Sequence, residues 1–442
     1  MPQRPQQIKR KRGITLSSKG WQRLQSAEQQ SVSQNNLGKA FTLQELSERT
    51  GLSPNTLARV RSRKVAVDQQ TLENYFRAFD LNLGVDDYAD SEAAIAGSRQ
   101  QVPLSGQLPL DSAFYVQRSQ IESICYDAIL QPGALLRIKA PRQMGKTSLA
   151  ARVLAQAREQ NFATAISSLQ LADSTVFTDL KRFLQWFCAI VSQNLGLPNQ
   201  VDKYWDDLFG NSYNCTNYFE KYILAEIETP IALAFDEVDV VFDYPEIATD
   251  FFGMIRAWYE KARYGDGKSD LWQKLRLVLV HSTEVYVPLN IHQSPFNAGL
   301  EIELAPFNQE QVQDLAQRYG VDDPEDCAKA LLTLVGGNPY LVQLGLHHLS
   351  LQDVTSKQLI ETAIVTDSIY SGHLRNLLWD LQRYPELVVA LKRVVLSPIP
   401  VEVEAIQAFK LQSKGLVRLY NQQLVPSCNL YRKYFAQALA TG

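Results

Sequence analysis

The run Ala140-Pro141-Arg142-Gln143-Met144-Gly145-Lys146-Thr147-Ser148-Leu149 follows an apolar stretch, 134–138, and opens an amphipathic one, 148–160. A buried strand, a tight loop and a helix in that order suit the binding of phosphate. Successive backbone N–H groups and the helix N-terminus together cradle anionic oxygens. On this reading residues 140–148 surround the phosphates of a nucleotide. Gly145 lets the backbone approach, the Lys146 ammonium reaches the β- and γ-phosphates, and the Thr147 hydroxyl ligates Mg2+. Ala140 stands where the GxxxxGK[ST] pattern begins with glycine, a change tolerated while φ stays negative.

Ninety residues beyond Lys146, the apolar run Ile231-Ala232-Leu233-Ala234-Phe235 delivers Asp236 and Glu237 at its end. The carboxyl edge of an open α/β sheet is where ligands sit. Asp236 is expected to hold Mg2+ through water and Glu237 to polarise the attacking water. The bland alternative is an acidic turn, since Asp239 and Asp243 follow. A third apolar run, 275–280, leads into His281-Ser282-Thr283-Glu284. Thr283 or Ser282 is the candidate to sense the γ-phosphate, the alternative being a helix cap. The catalytic set is therefore Glu237, Lys146 and Thr283, and the metal set Thr147 and Asp236.

The elements that must position these groups read as follows. Short buried runs alternate with longer amphipathic segments from Phe114 to Pro306, which predicts a parallel sheet wrapped by helices on both faces. Helices dominate from there to about Val395, and 415–420 with 423–425 form a hairpin around Asn421-Gln422. No apolar stretch approaches the ~18 residues of a membrane span. Five scattered cysteines and no secretory signal point to a reducing cytoplasm and argue against a disulfide framework or a Cx2C zinc site.

The net charge of −3 hides an asymmetry. Residues 1–77 carry fourteen Lys and Arg against five Asp and Glu, while the remainder carries thirty against forty-two. A basic head suits a polyanion-binding module. Thr42 and Glu45 form a capping box for a helix over 42–49, Gly51-Leu52-Ser53 makes a turn, and Ser53 caps a second helix from Pro54. The pair resembles a helix-turn-helix of the phage-repressor type, which implies that Asn55, Thr56 and Arg59 face the major groove of double-stranded DNA. Arg61, Arg63 and Lys64 contact phosphates, aided by the arm Lys9-Arg10-Lys11-Arg12. The same fold also serves protein–protein recruitment, and that alternative stays open.

Several pieces together resemble one family. They are Phe114-Tyr115-Val116-Gln117-Arg118, the loop 138–149, Ala234-Phe235-Asp236-Glu237-Val238-Asp239, His281-Ser282-Thr283-Glu284, Gly336-Gly337-Asn338-Pro339-Tyr340-Leu341 and Leu430-Tyr431-Arg432-Lys433-Tyr434-Phe435. Residues 114–435 are similar to the bacterial AAA-like ATPases abundant in cyanobacteria, close to the STAND class of P-loop NTPases. The resemblance implies an α/β P-loop NTPase with a five-stranded parallel sheet, a helical lid and a C-terminal winged helix, joined to an all-α helix-turn-helix domain. It implies ATP and Mg2+ as cofactors, Arg118 on the adenine side and Pro339 touching the base from the lid.

The expected organisation is a basic arm and link at 1–38, the helix-turn-helix domain at 39–88 and a linker at 89–110. An ATPase core at 111–306, a lid at 307–395 and a winged helix at 396–442 follow. The expected protein is a cytoplasmic, slowly hydrolysing ATP switch that binds DNA or recruits partner proteins and forms homo-oligomers in response to nucleotide. Slow turnover is expected because 277–317 holds no Arg or Lys and 336–350 no Arg, which leaves Arg256 or Arg263 as the only candidates to act in trans.

Overall fold

The computed structural model describes residues 14–35, 41–62, 67–79, 81–84, 87–90, 106–264, 267, 269–282, 294–351, 354–365 and 367–440. The chain divides into two compact units, Met1–Val102 and Pro103–Gly442.

The first unit begins earlier than its sequence suggests and is not purely helical. Strand β1 (Ile14–Leu16) runs antiparallel to β2 (Tyr88–Asp90), with Leu16 opposite Tyr88. Helix α1 (Ser18–Asn35) follows, inside the stretch expected to be a basic arm and link. Its composition is polar, which hides its one apolar stripe: Leu24 is fully buried, with Trp21 and Ala27 packed beside it. Glu28 on the same face is buried because Arg61 and the Tyr75 hydroxyl both donate to it. Helices α2 (Leu43–Thr50), α3 (Pro54–Ser62) and α4 (Gln69–Arg77) complete the unit around Leu46, Leu57, Val60, Leu72, Tyr75 and Phe76. The Thr42–Glu45 capping box is present, and Gly51 ends α2 in the left-handed region at φ 68°, where a side chain would be strained.

The second unit is organised by five parallel strands: β3 (Leu135–Lys139), β4 (Ala163–Ser168), β5 (Ile231–Asp236), β6 (Leu275–His281) and β7 (Leu300–Glu303). Their order across the sheet is β4-β5-β6-β3-β7, so β6 lies between the loop-bearing strand β3 and the acidic strand β5. Every residue of β5 and β6 is buried, as central parallel strands covered on both faces must be. One face packs on α5 (Ser119–Leu130) and α6 (Lys146–Glu159) through Ile129, Leu149 and Val153. The other face carries an aromatic core. Phe183 and Phe187 of α7 (Leu180–Asn194) meet Phe235 of β5 and Phe251 and Trp258 of α8 (Pro245–Lys261). Each such ring contributes about 1.5–3 kcal/mol by burial.

The C-terminal part comprises α9 (Gln309–Tyr319), α10 (Pro324–Val335), α11 (Pro339–Ser350), α12 (Ser371–Gln382), α13 (Pro385–Leu396) and α14 (Ala405–Ser413). The hairpin β8 (Val417–Tyr420) and β9 (Gln423–Pro426), and then α15 (Asn429–Ala440), follow. Asn421 and Gln422 both take positive φ, 48° and 66°, as a two-residue turn between twisted strands requires. Residues of the expected lid and of the expected winged helix share one core, for example Leu331, Leu341, Leu391, Leu411, Leu424 and Phe435. The boundary at 395/396 therefore separates two stretches of sequence within one packed body.

The second unit also starts before residue 111. Leu108 is buried and its N–H donates to the Ser148 hydroxyl at 3.0 Å. The Arg152 guanidinium donates to the carbonyls of Pro109 and Leu110 and lies 3.4 Å from the centre of the Tyr115 ring. A single buried leucine in a polar stretch gives no periodic signal, so 106–110 read as linker.

Candidate nucleotide site

Strand β3 ends at Lys139 and α6 begins at Lys146; the six residues between them form the loop. Ala140 is buried with negative φ, so its methyl group is accommodated where a glycine stands in the general pattern. Gln143 and Gly145 take left-handed conformations, φ 64° and 90°, which turn the chain into the helix. The Lys146 ammonium donates to the carbonyls of Ala140 (2.9 Å) and Pro141 (3.0 Å), closing the loop on itself. Burial pulls this ammonium down to about 8, against Asp239 and Asp236, whose charges raise it.

The two motifs ninety residues apart meet. Thr147 Oγ1 donates to Asp236 Oδ2 at 2.7 Å, and Asp236 Oδ1 accepts from the Glu237 N–H at 2.9 Å. Burial raises the Asp236 carboxyl above its ordinary value, opposed by the Thr147 hydroxyl, the Glu237 N–H and Lys146. A hydroxyl and a carboxylate side by side, both oxygen donors, fit Mg2+, which keeps several waters and takes further oxygens from phosphates. Among the described residues no group of three or more His, Cys, Asp and Glu is placed to hold a metal by itself.

Glu237 occupies the left-handed region, φ 57°, at the end of β5. Its Oε2 accepts a 2.6 Å hydrogen bond from Ser168 Oγ at the end of the neighbouring strand β4. Ser282, following β6, donates its hydroxyl to Asp239 Oδ2 at 2.7 Å. Thr283 lies outside the described residues. Arg142, Gln143, Lys146, Thr147, Asp236 and Glu237 line one cavity of about 420 Å³.

A larger cavity of about 1090 Å³ adjoins Pro141 and Met144 and extends under the β8–β9 hairpin. Three residues expected to contact the nucleotide have partners within the chain. Pro339 is buried as the first residue of α11, while its neighbour Asn338 lines the cavity, caps the helix and lies 3.8 Å from Met144 Sδ. The Arg118 guanidinium faces neither cavity; it donates to the carbonyls of Met144 and Ala305 and lies over the Phe307 ring, tying the loop to the segment after β7. The Ser148 hydroxyl is taken by Leu108, which leaves only its backbone to the phosphates.

The sequence reading missed Ser168, whose only signal is its place as the last residue of a strand, and it missed a set of residues from the C-terminal body. Lys410, Ser413 and Lys414 at the end of α14, with Tyr384 before α13, line the 420 Å³ cavity opposite the loop. Arg256 is paired with Glu260, and Arg263 donates to the carbonyls of Gly133 and Tyr259.

In the first unit Thr56 is half-buried with its hydroxyl on Ser53 Oγ, whereas Arg59 is exposed. Asn55 belongs to α3. Arg61 departs from the expected phosphate contact. Its guanidinium donates to both Glu28 oxygens (3.0 and 3.1 Å) and to the Tyr75 hydroxyl (2.7 Å) and lies 5.3 Å from the Trp21 ring centre. Arg63, Lys64 and the arm lie outside the described residues.

No curated protein sequence matches the chain. Among solved structures, the Walker-type ATPase PABY2304 of Pyrococcus abyssi is similar at 13% identity, over 73% of this chain and 96% of that one, with a TM-score of 0.49. The Orc1 protein of Aeropyrum pernix, solved in complex with DNA, is similar at 13% identity over 75% and 95% of the two chains, TM-score 0.38. The AMPPCP-bound DnaA of Aquifex aeolicus is similar at 11% identity over 66% and 73%, TM-score 0.34. A family model described as an AAA-like domain matches residues 103–437. With its phosphate loop, acidic strand end and five-stranded parallel sheet, the chain belongs to the AAA-like domain family, a family of P-loop ATPases.

Proposed function

We propose that the protein is a nucleotide-operated regulatory switch that binds Mg-ATP at 140–148, hydrolyses it slowly, and binds double-stranded DNA through its N-terminal unit. The observation that carries the ATPase half is the 2.7 Å contact between Thr147 and Asp236, which joins the phosphate loop to the acidic strand end. Lys146 leaves its two loop carbonyls for the β- and γ-phosphates, and the N–H groups at the start of α6 receive the phosphate oxygens. Thr147 and Asp236 would hold Mg2+, which when bound would supply positive charge to the phosphate oxygens. Glu237 takes the proton of the attacking water once its Oε2, held by Ser168 in the free protein, is released. Thr283 remains a candidate γ-phosphate sensor. Arg256 and Arg263 are both engaged within the chain, which favours slow turnover.

The charge of residues 1–77 and the exposed Arg59 on α3 support DNA as the partner of the N-terminal unit, with Asn55 and Thr56 beside it. The loss of Arg61 from the contacting set favours, to that extent, the second reading, in which the unit recruits a protein. On this reading the protein works in the cytoplasm and forms a homo-oligomer in the ATP state. No helix among the described residues is long and apolar enough to cross a membrane.

Lys146→Ala tests the first half. Nucleotide affinity measured by calorimetry should fall by at least ~10-fold, on the order of 1.4 kcal/mol. Unchanged affinity would remove the loop from nucleotide binding.

A further inference from the structure

The cavity beside the phosphate loop is closed by a second set of cations that no motif of the core supplies. Lys410 and Lys414 stand four residues apart at the C-terminal end of α14, and both line the cavity that holds Lys146, Thr147, Asp236 and Glu237. The approach is close, because a methyl group built on Gly415 would stand 3.4 Å from Pro141 Cβ. Pro141 is also one of the two residues whose carbonyls hold Lys146. The C-terminal body thus rests on the loop that must receive the nucleotide.

Lys414 has a defined partner. Its ammonium donates to Asp380 Oδ2 at 2.5 Å, with side chains 16% and 28% exposed, and it lies 5.2 Å from the Tyr384 ring centre. Asp380 on α12 and Lys414 beyond α14 belong to the same packed body, so the pair does not hold that body to the core. It holds one cation at the wall of a cavity whose opposite wall binds phosphate. Asp236, Glu237, Asp239 and Asp243 also line that cavity, so a terminal phosphate entering it gains from cations beyond Arg142, Lys146 and a bound Mg2+. Neither 277–317 nor the segment 336–350 offers an arginine for that purpose.

The geometry points to Lys414 as a specificity-determining residue that distinguishes ATP from ADP in cis. The terminal phosphate competes with Asp380 for its ammonium and, on winning it, ties the C-terminal body to the nucleotide. ADP carries no group on the Glu237 side of the cavity and leaves Lys414 on Asp380. This inference rests on the ATP-binding reading of the loop.

The experiment is calorimetric titration of the full chain with ADP and with the non-hydrolysable AMPPNP, each with Mg2+, for the wild type, Lys414→Ala, Lys414→Arg and Asp380→Asn. Lys414→Ala should weaken AMPPNP about tenfold or more and ADP less than about twofold, as the loss of a charge-assisted contact to one phosphate requires. Asp380→Asn should tighten AMPPNP several-fold and leave ADP unchanged, and Lys414→Arg should keep the preference for AMPPNP. Equal losses for both nucleotides, or no tightening in Asp380→Asn, overturns the role of Lys414 while the loop reading stands. Should Lys414→Ala fail to fold, Asp380→Asn and Lys414→Arg decide the matter alone. Wild-type protein that binds neither nucleotide overturns the loop reading and this inference together.

Discussion

Ser168 Oγ donates to Glu237 Oε2 at 2.6 Å, across the C-terminal ends of two adjacent parallel strands. The oxygen that would accept a proton from water is thereby occupied by a hydroxyl of the protein. Such a contact is worth about 1.5–3 kcal/mol when one partner is charged. Ser168→Ala should free the carboxylate and raise kcat several-fold, with nucleotide affinity within about twofold of wild type. Steady-state phosphate release checks this, and an unchanged kcat would make the contact idle.

The buried Lys146 ammonium links nucleotide binding to pH. In the free protein it is held down to about 8, so above that pH it is increasingly neutral. Phosphates beside it favour the charged form and raise its pKa, so proton uptake on binding grows as pH rises through about 8 and is smaller well below it. Titration in two buffers of different ionisation enthalpy measures the uptake directly. Nucleotide affinity should fall as pH rises through about 8.

Arg61 and Arg59 should behave differently although both lie on α3. Arg61 is bound to Glu28 and Tyr75 inside the unit, and its removal leaves a buried carboxylate without its cation. Arg61→Ala should destabilise the N-terminal unit by about 1–3 kcal/mol in a denaturant melt. Arg59→Ala and Asn55→Ala should alter the DNA sequence preference in a binding assay.

With Arg61 engaged internally, about five phosphate contacts remain for the arm, Arg63 and Lys64. The logarithm of the DNA-binding constant should then fall with the logarithm of salt at a slope of about −4.5. A slope near zero, or no retardation of any duplex at low salt, favours the recruitment reading.

What the sequence conveyed depended on how local the determinants are. The strand–loop–helix around Lys146 and the acidic end of β5 are continuous segments whose chemistry and periodicity coincide, so both were legible, as was the Asn421-Gln422 turn. Helix α1 was not, because its buried face includes a glutamate that is admissible only with Arg61 and Tyr75 beside it, and neither is near in sequence. The same holds for Ser168, Asp380 and Lys414. Each matters through a neighbour tens of residues away, and nothing in its own segment marks it. Pro339 and Arg118 carry a family resemblance, yet their side chains serve a helix start and a carbonyl clamp in this chain.

The central claim is that Glu237 drives a slow hydrolysis at a site assembled from the loop and β5. Steady-state phosphate release by the wild type and by Glu237→Gln, with nucleotide binding measured alongside, tests it most directly. The account predicts a wild-type rate well below about one per second, and a variant that binds ATP as tightly and releases no measurable phosphate. Wild-type turnover above about ten per second, or hydrolysis undiminished in Glu237→Gln, would contradict it.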